Sequence, residues 1–246
     1  MRPAASVPAA AIPTRETFSI GSALSRSLSV WGRNLPFFLA VSFLAYVPML
    51  LLSPGVPTSG SDWMRWLIGF AISLALGYVV TGFVTYSVLE QLRGRNPAPG
   101  AALAYGASRA GPLILAAIFT TILIFGASLF LIIPGIYFAV PWSLIAPVVI
   151  AEKGVDPRAR SAELTAGHRW GLFGLLILIG IAGGILSGLM RLIVGLPLDF
   201  VSKLVGQTIP QALVLSFTAA VYGVIYYQLR SEKEGVDLEQ LTSVFR

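Results

Sequence analysis

An all-α integral membrane protein, with six transmembrane helices paired as three hairpins, is the fold class this sequence predicts. Three observations predict it. Only 11% of the 246 residues are charged and 56% are hydrophobic, where a soluble domain carries about 25% charged residues. The charges are also unevenly spaced, because residues 110–151 contain no Asp, Glu, Lys or Arg. Finally, one straight helix through that run would measure about 63 Å, roughly twice the hydrocarbon core of a bilayer, so the chain must fold back.

The elements follow in chain order. Residues 1–16, "MRPAASVPAAAIPTRE", lack the apolar core of a signal peptide and read as a disordered cytoplasmic tail. A single membrane domain is expected over 17–246. Its spans are placed near 35–53, 64–89, 112–133, 135–151, 170–190 and 207–229, since each window is uncharged and near the length a crossing needs. Ile133-Pro134-Gly135 supplies the turn inside the longest uncharged run, proline lacking a donor and glycine accepting unusual dihedrals. The fourth span is the shortest, and Pro141 and Pro147 interrupt it, leaving carbonyls without their usual donors. Continuous apolar runs exclude a transmembrane β-barrel, whose strands alternate.

Each hairpin is preceded by a surface segment. In "SIGSALSRSLSVWGRN" (19–34), Ile20, Leu24, Ser27, Leu28 and Trp31 share one helical face, with Ser22, Arg26, Ser29 and Arg33 opposite. Such a helix is expected to lie in the headgroup layer. The second segment, 97–112, enters on a proline. The third, 155–170, opens with Asp156 placed to cap, Pro157 in the first turn and Gly167 at its end. Fourteen basic residues fall on the side of the two termini against Arg65, Arg191 and Lys203 on the other, so both termini are expected in the cytoplasm. Orientation accounts for the net charge of +6, and no nucleic-acid partner is called for. Trp31, Trp63, Trp66, Trp170 and the Tyr222, Tyr226, Tyr227 cluster sit at span ends, as in an aromatic belt.

The candidate sites are sparse. Gly180, Gly184 and Gly188 form GxxxGxxxG, a face for close helix packing. Packing inside the chain's own bundle is favoured over an oligomer seam. Pro141, Trp142, Ser143 and Pro147 mark a candidate mid-membrane cavity of the kind broken helices build in transporters, although no Asp, Glu or Lys lies inside any predicted span. Arg26, Arg33, Arg158, Arg160 and Arg169 are candidate contacts for phospholipid headgroups or a cytoplasmic protein. His168 is the single histidine and reads as interfacial. With no cysteine and one histidine, no metal site is expected. No cofactor is expected either, as no nucleotide or hydrolase motif is present.

The run "LFLIIPGIYFAVPWSLIAPVVIAEKGVDPRARSAELTAGHRWGLFGLLIL", with "FSIGSALSRSLSVWGRN" before it and "IYYQLRSEKEGVDLEQL" after it, carries a family likeness. It resembles the membrane domain attached to some bacterial glycerophosphoryl diester phosphodiesterases, and the stand-alone membrane proteins related to it. The most specific elements are Ile133-Pro134-Gly135, the Ser161 to Gly167 stretch, and Arg230 followed by residues 234–238. The resemblance implies a six-helix fold in a bacterial inner membrane. It implies no phosphodiesterase activity, because that chemistry belongs to a separate soluble barrel for which this chain has no room. The expected function is therefore a non-enzymatic accessory or scaffold protein that engages phospholipid headgroups or a cytoplasmic partner. The alternative is a carrier or channel for a lipid-like or small amphiphilic molecule, to be told apart by whether a polar cavity exists around Ser143.

Overall fold

Residues 18–52, 59–130, 138–194 and 204–234 are described by the computed structural model, and they are helical without any strand. The expected tail over 1–16, the Ile133-Pro134-Gly135 turn and residues 235–238 lie outside them. Five helices are long and apolar enough to cross a bilayer. They are α2 (Leu35–Leu52), α3 (Gly60–Leu92), α5 (Ala110–Phe130), α8 (Arg169–Val194) and α9 (Ile209–Glu234), and each corresponds to a predicted window. Three short helices stand where the surface segments were expected: α1 (Ile20–Arg33), α4 (Pro99–Ser108) and α7 (Pro157–Thr165).

The fourth window differs. Phe138 and Ala139 are helical, residues 140–144 turn, and α6 (Ile145–Ala151) is a helix of seven residues. Pro141 is the break. Pro147 is not, because it occupies the first turn of α6, where its missing N–H removes no helical bond. Ser161 of α7 repairs the break from outside. Its hydroxyl donates to the Pro141 carbonyl at 2.6 Å and accepts from the Leu144 N–H at 3.2 Å. Thr165, one turn on, gives the same carbonyl a longer contact. The short helix survives because it is enclosed, with Ile145 through Ile150 all buried.

Local chemistry explains the remaining boundaries. Ser59 and Asp62 open α3 with reciprocal side-chain to backbone bonds that satisfy two orphan donors. Asp156 caps α7 by accepting from the Arg158 N–H at 3.1 Å. Gly167, at φ 91°, takes the left-handed turn into α8. Asn34 separates α1 from α2, its amide donating to the Val30 carbonyl at 2.8 Å and to Gln91 at 3.0 Å.

At the centre, α3 packs against α2, α4, α5, α6 and α9. Glycine permits the closest of these crossings. A Cβ at Gly106 of α4 would lie 3.2 Å from the Phe83 backbone of α3, and the α9 crossing brings Gly223 against Val88. By contrast, Leu115, Ile122 and Phe125 on α5 and Ile181, Ile185 and Leu192 on α8 are exposed. For a chain in lipid these are the outward faces. A π-helical turn, Leu204–Thr208, leads into α9.

Candidate functional site

Two regions carry polar chemistry. The first is an ionic layer where α3, α6, α7 and α9 end. Glu152, whose side chain is 11% exposed, meets the Arg160 guanidinium at 3.1 Å and accepts from the Tyr226 hydroxyl at 2.7 Å. Arg230 donates to that same hydroxyl at 2.9 Å and pairs with Glu234 at 2.8 Å. Arg160 also reaches Glu163 at 3.0 Å and pairs with Glu234. Backbone ends are covered too. Tyr105 donates to the Ile150 carbonyl at 2.9 Å, Arg109 to the Glu152 carbonyl at 3.0 Å, and Lys233 to the Ala166 carbonyl at 2.9 Å. Nearby, buried Glu90 holds Arg93 at 2.7 Å, and Tyr105 stacks on Tyr86 at 4.2 Å. Burial works against the Arg160 charge, but the hydrogen bonds and charges of Glu163 and Glu152 outweigh it. Its pKa is held above the ordinary arginine value.

The second region is a cavity of about 640 Å³ walled by α2, α3, α5, α9 and the broken segment before α6. Its wall includes Tyr46, Ser73, Tyr78, Thr81, Thr120, Trp142, Ser143, Gln211, Thr218 and Tyr222 among apolar neighbours. No charged residue or histidine is among the described residues that line it. Trp142 is held by stacking on Phe138 at 5.0 Å. Ser73 accepts from the Met49 N–H at 3.1 Å, a donor released by Pro48 inside α2. The Thr120 hydroxyl is buried without a partner. Along α3, Thr81 stands nine residues before Glu90, about 14 Å of helix at 1.5 Å per residue, and Phe70 about 30 Å. Along α3 the cavity thus extends away from the ionic layer, while through Trp142 and Ser143 it reaches the segment that Ser161, next to Arg160, holds.

The expected site residues distribute as follows. Trp142 and Ser143 line the cavity, whereas Pro141 is buried behind them against Ser161, and Pro147 is enclosed within α6. Arg160 is committed to carboxylates of the chain itself. Arg158 lies 3.6 Å from Asp156 with its guanidinium 4.6 Å over the Phe119 ring. Arg33 and Arg169 are exposed and Arg26 is half-buried. The expectation for α1 is corrected in part. Its Ala23 and Ser27 are fully buried, and the Trp31 indole donates to Ser216 of α9 at 2.9 Å, so α1 is docked on the bundle as well as amphipathic. Intrachain packing at Gly180, Gly184 and Gly188 is also corrected, since a Cβ at each meets no described atom within 4 Å. Gly183, off the pattern, is the glycine that packs, against Val214. Of the expected tyrosine belt, Tyr222 faces the cavity and Tyr226 is fully buried at Glu152. His168 lies 3.5 Å from Glu232, and its ring meets Phe18 edge-on.

The sequence reading missed the hydroxyl wall and the Glu152 network. A signal for the wall existed: Phe70, Ser73, Gly77 and Thr81 recur at three- and four-residue intervals, one face of α3. No family model, curated protein or solved structure matches this chain, so the site's geometry carries the functional reading.

Proposed function

We propose that this chain is a multi-pass protein of a bacterial inner membrane that binds a lipid-like amphiphile in its intramembrane cavity and acts as a carrier for it. In this reading α6 and the residues before it complete a sixth, shortened crossing. The six spans form three hairpins, and the ionic layer and both termini face the cytoplasm. The protein would be non-enzymatic and akin to the membrane domain attached to bacterial glycerophosphoryl diester phosphodiesterases. One observation supports the binding role above all: a cavity of about 640 Å³ among the membrane-length helices, within the range of small-molecule sites, its wall mainly apolar with a few hydroxyl and amide groups.

Native mass spectrometry of the purified full chain tests this reading. One retained lipid per protein is expected, with at least a fivefold loss in Gly77→Leu. That substitution fills the cavity from a wall position whose added Cβ would meet only Leu215, at 4.0 Å. No retained lipid, or retention indifferent to Gly77→Leu, overturns it. Orientation is tested by single cysteines at Ser59 and Ala166 in sealed cells, with only Ser59 expected to react from outside. Ser161 is unsuited to such a probe because it is buried and doubly bonded.

A second reading, a scaffold that engages headgroups, is favoured by the exposed Arg33 at the end of α1 and Arg169 at the start of α8. Replacing Arg26, Arg33, Arg158 and Arg169 with glutamine should lower recovery of anionic lipid if it holds. Unchanged recovery removes it.

A further inference from the structure

We infer that the portion of the ligand held in the cavity is uncharged, a lipid body bearing hydroxyl or ester groups, and that an ionised phosphate is shut out. The inference rests on the binding role proposed above and names its ligand class. The argument begins with what the wall offers. Tyr78, Gln211 and Tyr222 bring hydroxyl and amide groups that donate and accept, Thr81 and Ser143 donate to the Gly77 and Val140 carbonyls and offer acceptor oxygens, and no lining residue brings a formal charge. Moving a phosphate into such a place strips its water and returns no counter-ion, a cost of several kcal/mol or more. A hydroxyl or ester carbonyl, in contrast, loses little water and meets partners of matching strength.

The cations that could offset a phosphate are elsewhere. Arg93 of the α3 terminus stands twelve residues beyond Thr81, and Arg230 eight beyond Tyr222, about 18 Å and 12 Å of helix. Both already hold carboxylates, Arg93 with Glu90 and Arg230 with Glu234. Arg65 is nearer in sequence, five residues before Phe70. At 100° per residue, however, it lies about 150° round α3 from the Phe70–Thr81 stripe, on the opposite face. It is exposed there. None of these cations lines the cavity, and neither does Arg158, over the Phe119 ring next to Thr120, nor Arg191, packed against Gly206 five residues before Gln211.

Two photoreactive probes with identical diazirine-bearing acyl chains decide the matter, diacylglycerol and phosphatidic acid, offered separately to the purified full chain in a neutral detergent. The adducts are mapped by peptide mass spectrometry. Diacylglycerol is expected to label peptides containing Tyr78, Thr120 or Tyr222, with unlabelled diacylglycerol competing, and phosphatidic acid to label them at least tenfold less. Gly77→Leu should cut the diacylglycerol adduct at least fivefold while the thermal midpoint stays within two degrees of the parent. Ala146→Leu offers a second filling variant should Gly77→Leu fold poorly. Equal labelling of these peptides by both probes overturns charge exclusion but leaves the binding role standing. Absence of cavity labelling by either probe overturns both.

Discussion

The ionic layer and the cavity lie within about 30 Å of each other along α3, yet they treat polar groups in opposite ways. In the layer, Glu152 alone gathers Arg160 and the Tyr226 hydroxyl, with Arg230 3.8 Å away, and Tyr105, Arg109 and Lys233 cover open carbonyls. In the cavity wall no lining residue is charged, Thr81 and Ser143 give their hydroxyl protons to nearby backbone carbonyls, and Thr120 is left without a partner. The difference teaches what each kind of polar group demands of the fold. An unpaired charge in a low-dielectric interior costs more than the chain can spare, so charges that fold together are paired. A hydroxyl facing a cavity costs far less and is free to meet something that arrives.

Substitutions should separate the two regions. The largest effect is expected from Glu152→Ala, which takes one carboxylate from Arg160, leaving it Glu163 and Glu234, and removes the acceptor of the Tyr226 hydroxyl. A fully buried pair broken on one side costs about 3–5 kcal/mol. Because Arg160 and Arg230 keep partial exposure, about 2–3 kcal/mol is expected here, read as a lower thermal midpoint in detergent. A midpoint equal to the parent's would break the claim that this layer holds the helices together.

Gly106→Val should follow at about 2 kcal/mol, because its side chain must push into the Phe83 backbone; the same measurement checks it. Ser161→Ala should cost about 1.5 kcal/mol. It leaves the Leu144 N–H open and the Pro141 carbonyl with only the 3.4 Å contact from Thr165, and Ser161→Thr should recover part of the loss if the hydroxyl is what matters. Smallest, and opposite in sign, is Thr120→Val in the cavity wall. Removing an unpartnered hydroxyl at nearly constant volume should change stability by less than about 1 kcal/mol, towards greater stability. A loss comparable to that of Ser161→Ala would show that Thr120 has a structural partner and erase the contrast.

The legible and illegible parts of this fold divide along one physical line. The spans of α2, α3, α5, α8 and α9 were readable because hydrocarbon excludes ionisable side chains, and that exclusion is written directly in the spacing of charges. The caps of α7 were readable for a similar reason: Asp156, Pro157 and Gly167 act within one turn of themselves. In the fourth window Pro141 and Pro147 both read as interruptions because they look alike in a string, although one breaks the backbone and the other stands in the first turn of a helix. The glycine face was misassigned because GxxxGxxxG reports only that a close approach is permitted.

Sequence by itself determined that this chain is helical, that most of it is apolar enough for a bilayer, and where its charges collect, since these are properties of short segments against their solvent. Only the tertiary structure decided that Ser161 would mend the break at Pro141, and that Arg160 would face Glu152 and Glu234 instead of open solvent. It also decided that hydroxyls from α2, α3, α5 and α9 would face one another across a space. Those outcomes depend on contacts between residues distant in the chain, such as Arg160 with Glu234 and Tyr226 with Glu152, and no local periodicity encodes which helix a side chain will meet.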